Sequence, residues 1–262
     1  MKTFRKIIVV FIISISAVAI AKAQGAYVNV DVGYNLSAAS DVIGVNTTTS
    51  NNEIVKGTFG KGISFGLGVG YMFSENVGAE IAFSYLVGSK IETTDNDGTI
   101  TGTSEAKSKL MRLTPALKVT GGKSIKPYAK FGVILGLAPK VEIESTGSGL
   151  TYTSTGNDKL SGGMSIGLMG AAGVDIELSK MVSVFVELNS FNQSWAPDKD
   201  EWTSTVTSLG TTETESGTVN YEDKVSTSSS QSGSSTQQLK MYVPFSSFGI
   251  HLGVKLAFGG SK

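Results

Sequence analysis

The sequence predicts an all-β protein in which eight antiparallel strands wind up and down into a closed transmembrane β-barrel. Three observations lead to this prediction. Apolar residues alternate with polar or small ones in eight segments, long polar connections alternate with short ones, and one face of each segment is apolar enough to contact lipid. Because hydrocarbon offers backbone groups no hydrogen-bond partners, such strands must pair with one another all the way round.

The first 23 residues have the pattern of a cleaved secretory signal peptide. Three basic residues precede an apolar run from Ile7 to Ile20, and Ala21-Lys22-Ala23 supplies the small residues of a cleavage site. The run is shorter than the roughly 20 apolar residues that a membrane-spanning helix needs. We therefore expect a signal peptide at residues 1–23 and a mature chain of residues 24–262.

Composition narrows the classes of function. The chain has no cysteine, which excludes disulfides and cysteine-bound metals, and its 22 basic and 22 acidic residues leave no basic surface for nucleic acid. A single histidine, His251, supplies little imidazole for catalysis. We predict no cofactor, no metal site and no nucleic-acid partner.

Eight segments carry the alternation. In the first, Val28, Val30 and Val32 alternate with smaller or polar residues, and the other segments are residues 63–73, 77–88, 110–120, 127–143, 164–178, 181–190 and 248–258. An even number of strands is typical of a single-chain bacterial barrel. Pro115 lies inside the fourth segment and lacks an amide hydrogen, so we expect a β-bulge there.

The connections between these segments alternate in length. Residues 74–76, 121–126 and 179–180 are short turns, whereas polar stretches occupy about residues 37–61, 92–107, 145–159 and 192–238. This plan predicts that the short turns and both termini are periplasmic and that four long loops are extracellular. The last stretch is rich in serine, threonine and acidic residues, so we expect a mobile loop without regular structure.

The last segment ends in His251-Leu252-Gly253-Val254-Lys255-Leu256-Ala257-Phe258, which resembles the C-terminal assembly signal of outer-membrane barrels. His251 fills its polar position, Gly253 its glycine, Leu256 its apolar position and Phe258 its aromatic end. The mature chain is similar to the small eight-stranded barrels typified by OmpA and OmpX, without a peptidoglycan-binding domain. The resemblance implies a bacterial outer-membrane location, with outer-membrane lipid and the outer-membrane assembly machinery as partners.

The same alternation assigns a set of charged residues to the interior of the barrel. They are Asp31, Glu80, Arg112, Lys118, Lys130, Asp175, Glu177, Glu187 and Lys255. Counting residues from the short turns places some of these charges at similar levels on neighbouring strands. We therefore predict that Glu80 pairs with Lys118, that Lys130 pairs with Asp175 and Glu177, and that Glu187 and Asp31 flank Lys255. An eight-stranded barrel has room inside for side chains only, which favours a closed, hydrogen-bonded plug.

These features favour a non-enzymatic, monomeric outer-membrane barrel, which acts as a structural or surface-interaction scaffold and presents its loops to an extracellular ligand. Three alternatives stay open: a narrow solute channel, a soluble lipocalin-like binding protein with its apolar faces inward, and a lipid-acting enzyme with His251 as its base. An enzyme with a His-x-Ser pair on one strand would need a serine two residues after His251, and that position is Gly253. We therefore expect His251 to be a polar residue of the lumen.

Overall fold

The computed structural model describes residues 25–38, 41–225 and 235–258, and the predicted signal peptide lies outside these residues. The described residues form sixteen strands: β1 (Gly25–Ser37), β2 (Val42–Thr47), β3 (Asn52–Lys56), β4 (Gly62–Met72), β5 (Val77–Gly88), β6 (Ile91–Asn96), β7 (Thr101–Thr120), β8 (Ile125–Ser148), β9 (Tyr152–Ser161), β10 (Ser165–Glu177), β11 (Val182–Trp195), β12 (Lys199–Ser208), β13 (Thr211–Glu222), β14 (Ser235–Leu239), β15 (Val243–Pro244) and β16 (Ser247–Phe258). Across these residues, no helix is long and apolar enough to span a membrane.

Eight of the strands pair in an unbroken cycle of antiparallel ladders, which we call the wall. β1 pairs with β4 on one side and with β16 on the other. The cycle continues from β4 through β5, β7, β8, β10 and β11 and returns to β16. Each wall strand therefore has a neighbour on both sides, and the wall has no free edge.

The wall strands follow the alternation predicted from the sequence. On β1, Tyr27 and Asn29 are buried, whereas Val30 is 52% and Val32 48% exposed. The apolar side chains thus point away from the axis and the polar ones toward it. A lipocalin-like protein would need the opposite arrangement, so the structure contradicts that alternative.

The two ends of the wall differ. At one end, short turns join the strands: the amide of Phe73 bonds to the carbonyl of Val77, and the amide of Leu178 to that of Val182. Gly25 and Phe258 lie at this end, which we call the turn end. At the opposite end, β7 and β8 continue into further sheet.

The four stretches predicted as long loops consist largely of paired strands where the structure describes them. The prediction that the last stretch lacks regular structure is therefore wrong for its described residues. Beyond the wall, β7 and β8 carry further strands in the order β14-β13-β12-β9-β8-β7-β6-β2-β3. We call this outer sheet the extension. Its threonines form cross-strand hydroxyl pairs, such as Thr205 with Thr214 at 3.0 Å and Thr207 with Thr212 at 2.9 Å.

A bulge separates the wall from the extension, but it is not at Pro115. The β7–β8 register is the same on both sides of Pro115, with Leu113 opposite Leu135 and Ala116 opposite Gly132, so the strand tolerates the missing amide hydrogen without an inserted residue. The register shifts instead between Lys109 and Met111. Opposite this shift, Ala138 of β8 has a φ of 45°.

Candidate functional site

The lumen of the wall is filled by charged, polar and apolar side chains in layers. Eight of the nine charges predicted to lie inside do so: Asp31, Glu80, Arg112, Lys118, Lys130, Asp175, Glu187 and Lys255. The ninth, Glu177, lies at the turn end with its side chain 38% exposed and pairs with Lys126. Without Glu177, the lumen holds four acidic and four basic residues, so its formal charge is zero when His251 is neutral.

The layer nearest the turn end is centred on Asp175. Its Oδ2 atom accepts a hydrogen bond from Lys118 Nζ at 3.1 Å and another from Lys255 Nζ. The Lys118 ammonium also lies 3.9 Å from the centre of the Tyr128 ring. One carboxylate thus holds two ammonium groups, and each of them also lies over a tyrosine ring, Lys255 being 5.6 Å from the centre of Tyr27.

The next layer is a hub around Lys130. Its Nζ atom lies 2.8 Å from Glu80 Oε1 and 2.8 Å from Glu187 Oε2. Tyr27 donates to Glu80 at 2.9 Å and Tyr128 donates to Glu187 at 2.8 Å. Because both carboxylates have an ammonium and a phenol as partners, this buried cluster meets the hydrogen-bonding requirement that makes buried charges tolerable.

The predicted pairings inside the lumen are therefore wrong, although its members are nearly all correct. Lys118 pairs with Asp175 rather than Glu80, and Lys130 pairs with Glu80 rather than Asp175. The contacts run across the lumen between strands that are not neighbours, such as β8 with β5. Alternation fixes the face of a residue, whereas these contacts depend on strand tilt and stagger.

On the side of the hub away from the turn end, His251 is part of a polar row across three neighbouring strands. Ser64 of β4, Gly33 of β1 and His251 of β16 lie in register. A Cβ atom on Gly33 would lie 2.2 Å from the imidazole ring, so only glycine leaves room for it. His251 Nδ1 lies 2.6 Å from Asp31 Oδ1, and His251 Nε2 lies 3.2 Å from Ser64 Oγ.

These distances are those of a Ser-His-Asp triad, but the row is enclosed. A carboxylate can only accept, so Nδ1 carries the hydrogen toward Asp31. Nε2 lies between the Ser64 hydroxyl and Asn35 Oδ1, which is 3.4 Å away, so Nε2 can accept from Ser64 when it carries no hydrogen and can donate to Asn35 when it carries one. Asn35 Nδ2 donates to the same Ser64 hydroxyl at 3.1 Å. Ser64 is 1% and His251 4% exposed. Ser64 was not predicted, because a serine on the polar face of a strand carries no distinguishing signal.

The Arg112 guanidinium forms the next layer. Arg112 Nε donates to Gln193 Oε1 at 2.9 Å, Nη2 donates to the Phe245 carbonyl at 3.3 Å, and the group stacks 4.5 Å from the centre of the Phe191 ring. Gln193 in turn donates to Ser165 at 2.7 Å. Neutral acceptors and a ring face thus hold this buried cation.

An apolar cluster, which we call the cap, covers Arg112 where the wall meets the extension. It consists of Leu86, Leu110, Val141, Leu160, Trp195, Val243 and Phe245, with Phe59 and Ile143 packed against it. Phe245 is fully buried between Trp195 and Phe59, with ring centres 6.1 Å and 6.2 Å away. Sequence reasoning missed the cap because Phe59 lies in a stretch predicted as a long loop, and Phe245 lies beside Pro244 between the last such stretch and the eighth segment.

At the turn end, the lumen opens into a cavity of about 410 Å³. Tyr27, Lys118, Asp175 and Lys255 line it, together with residues of the short turns. The cavity is therefore bounded by the side chains of the Asp175 layer, and the hub and the cap lie beyond them.

The predicted assembly signal divides between the two faces of β16. His251 and Gly253 face the lumen, where a Cβ atom on Gly253 would lie 2.3 Å from the Phe185 ring. Leu256 is 45% and Phe258 50% exposed on the outer face. The apolar positions of the signal thus lie on the surface of the wall.

A closed cycle of strands, apolar outside and charged inside, is the arrangement of a membrane barrel. The sequence matches the family described as Outer membrane protein beta-barrel domain over residues 7–210. The chain belongs to this outer-membrane β-barrel family. A search of the curated proteins found no match.

Solved structures of outer-membrane proteins resemble the chain at low identity. Neisserial surface protein A is 14% identical with a TM-score of 0.41, and the alignment covers 90% of this chain and 99% of that one. OprG from Pseudomonas aeruginosa is 13% identical with a TM-score of 0.44, covering 90% and 97%. CarO2 from Acinetobacter baumannii is 12% identical with a TM-score of 0.36, covering 90% and 100%. The family match, rather than these neighbours, carries the assignment to the outer membrane.

Proposed function

We propose that the chain is a monomeric, eight-stranded transmembrane barrel with a closed lumen, and that its function is to hold the extension outside the cell as a contact surface. The turn end then faces the periplasm, and the assembly machinery reads β16 through its outward Leu256 and Phe258. The observation that carries this proposal is the double obstruction of the lumen. The charged hub around Lys130 blocks it on one side of His251, and the cap around Phe245 blocks it on the other.

Thiol labelling tests whether the lumen is closed. The chain has no cysteine, so a Ser64→Cys variant carries one thiol, placed beside His251. We expect a membrane-impermeant maleimide to leave this thiol unmodified in the folded barrel and to label it after unfolding. Thr203→Cys, an exposed position on the extension, is the control and should react at once. Reaction of both variants at similar rates would show that the lumen is open.

The triad distances favour one second candidate, a serine-dependent hydrolase. In that case Ser64 would be the nucleophile and His251 its base, and Asp31 would orient the imidazole. A fluorophosphonate that labels the folded wild-type barrel, but neither Ser64→Ala nor His251→Ala, would establish this activity. The burial of Ser64 instead predicts no labelling, which leaves the row a structural element of the lumen.

A further inference from the structure

Two leucines occupy the outermost turns of the extension. Leu150 lies in the turn between β8 and β9 and is 94% exposed, and Leu209 lies in the turn between β12 and β13 and is 86% exposed. The two turns are neighbours, because the Leu209 amide donates to the Thr151 carbonyl at 3.3 Å. We call residues 149–152 and 208–211 the leucine tip.

The backbone at Leu209 is unfavourable for leucine. Ser208 pairs with Thr211 across a two-residue turn in which Leu209 has a φ of 51° and Gly210 a φ of 83°. Positive φ at both central residues is typical of a type I′ turn, in which asparagine or aspartate is preferred before glycine. The fold thus accepts a strained, exposed leucine where a polar residue would suit both turn and solvent, which indicates a role in an intermolecular contact.

The leucine tip itself and the parts of β9 and β12 that lead to it carry no charge, and Glu213 and Glu215 of β13 are the nearest acidic residues along the chain. No acidic or basic residue occurs from Ser145 to Asn157 or from Trp202 to Thr212. Tyr152 lies against the turn backbone, since a Cβ atom on Gly149 would lie 2.7 Å from its ring. Exposed leucines, hydroxyls and a tyrosine without charges are the composition that enters the interface of a lipid bilayer at low cost.

We propose that the leucine tip inserts into the surface of a second bilayer, one apposed to the membrane that holds the barrel. Nine residues of β8, from Lys140 to Ser148, pair with β7 beyond the bulge, which corresponds to roughly 30 Å of strand. The tip is therefore held clear of the barrel's own membrane. Glu213 and Glu215 follow the tip on β13, so uncharged lipid is favoured over anionic lipid.

This inference rests on the proposed function in one respect, that the extension projects from the bilayer that holds the wall. The tested sample is the full barrel in nanodiscs, and heat-modifiable gel mobility reports separately that the wall has folded. Phosphatidylcholine vesicles are added, and flotation measures the fraction of barrel bound to them. Empty nanodiscs give the background.

We expect the wild-type barrel to float with the vesicles and a Leu150→Ser, Leu209→Asn double variant to bind at least tenfold more weakly, since each buried leucine contributes about ten- to hundredfold. Asparagine at 209 suits the turn, so this variant keeps the fold. Leu239→Asn, at a leucine 64% exposed on β14, is the matched control and should float like the wild type.

Three results would overturn the proposal. The folded wild-type barrel could fail to float, or the double variant could float as well as the wild type. The third is self-association of barrel nanodiscs without vesicles that the double variant abolishes, which would make the partner a second copy of this chain.

Discussion

At the scale of residues, the lumen shows how far alternation determines a buried network. The sequence positions assigned to the inward face included eight of its charged members, because the side chains of a strand alternate strictly between the two faces. Glu177 has the same parity but lies beside the turns, where the lumen opens to solvent and Lys126 can reach it. The partners Tyr27 and Tyr128 were not predicted, because contacts across the lumen depend on stagger, which no local pattern encodes.

Removal of the Asp175 carboxylate charge should strongly destabilise the barrel. Asp175→Asn leaves Lys118 and Lys255 buried without their shared acid, and loss of one partner from a buried ion pair costs about 3–5 kcal/mol. Glu177→Gln removes an exposed pair and should cost only about 0–1 kcal/mol. Urea unfolding in lipid, followed by gel mobility, measures both. Equal unfolding free energies for the two variants would contradict the assigned network.

At the scale of elements, the wall strands were predictable and the extension was not. Wall strands have one apolar face, which produces a clear period of two. Extension strands such as β12 and β13 are polar on both faces. The alternation of apolar and polar residues is therefore absent, and the sequence predicts a loop. The abundance of threonine, a residue that favours strands, was the available signal.

The extension should become less stable as the pH rises above about 4. Burial raises the pKa of Asp158, and burial followed by the charge of Asp158 raises the pKa of Asp200. The folded extension then binds more protons than the unfolded one, so stability is lost above the ordinary aspartate pKa of about 4. We expect Asp200→Asn to stabilise the extension at pH 7 and to match the wild type at pH 3.

Trp202 fluorescence during urea unfolding measures this effect. The chain has two tryptophans, so a Trp195→Phe background makes Trp202 the sole reporter of the extension. Glu201→Gln, at an exposed position on β12, is the control and should change little. A constant difference between Asp200→Asn and its parent from pH 3 to pH 7 would rule out the titration of Asp200 as the cause.

The cap should contribute more to stability than its short strand β15 suggests. Phe245→Ala empties a fully buried site between Trp195 and Phe59, and such truncations cost about 3–5 kcal/mol. Tyr242→Ala, three residues earlier and 75% exposed, should cost less than about 0.5 kcal/mol. The unfolding free energies of the two variants in lipid test whether this segment is part of the core. Equal losses for Phe245→Ala and Tyr242→Ala would contradict it.

At the scale of the whole molecule, the chain combines a membrane wall with an outer sheet continuous with its longest strands. β7 and β8 run through both parts, so the extension is held by backbone pairing rather than by flexible loops. The layers from Asp175 to Phe245 fill the wall between the turn end and the extension. Together these features support the proposed role of a rigid support for a surface structure with a closed lumen.

Single-channel recording in a planar bilayer tests this account most directly. Barrel that has been shown to be folded by its heat-modifiable gel mobility is inserted, and the current is measured under an applied voltage. We predict no steady unitary steps, because the Lys130 hub and the Phe245 cap obstruct the lumen in series. Reproducible unitary steps, altered in size by Arg112→Gln or Glu80→Gln, would contradict the closed lumen and identify the barrel as a narrow channel.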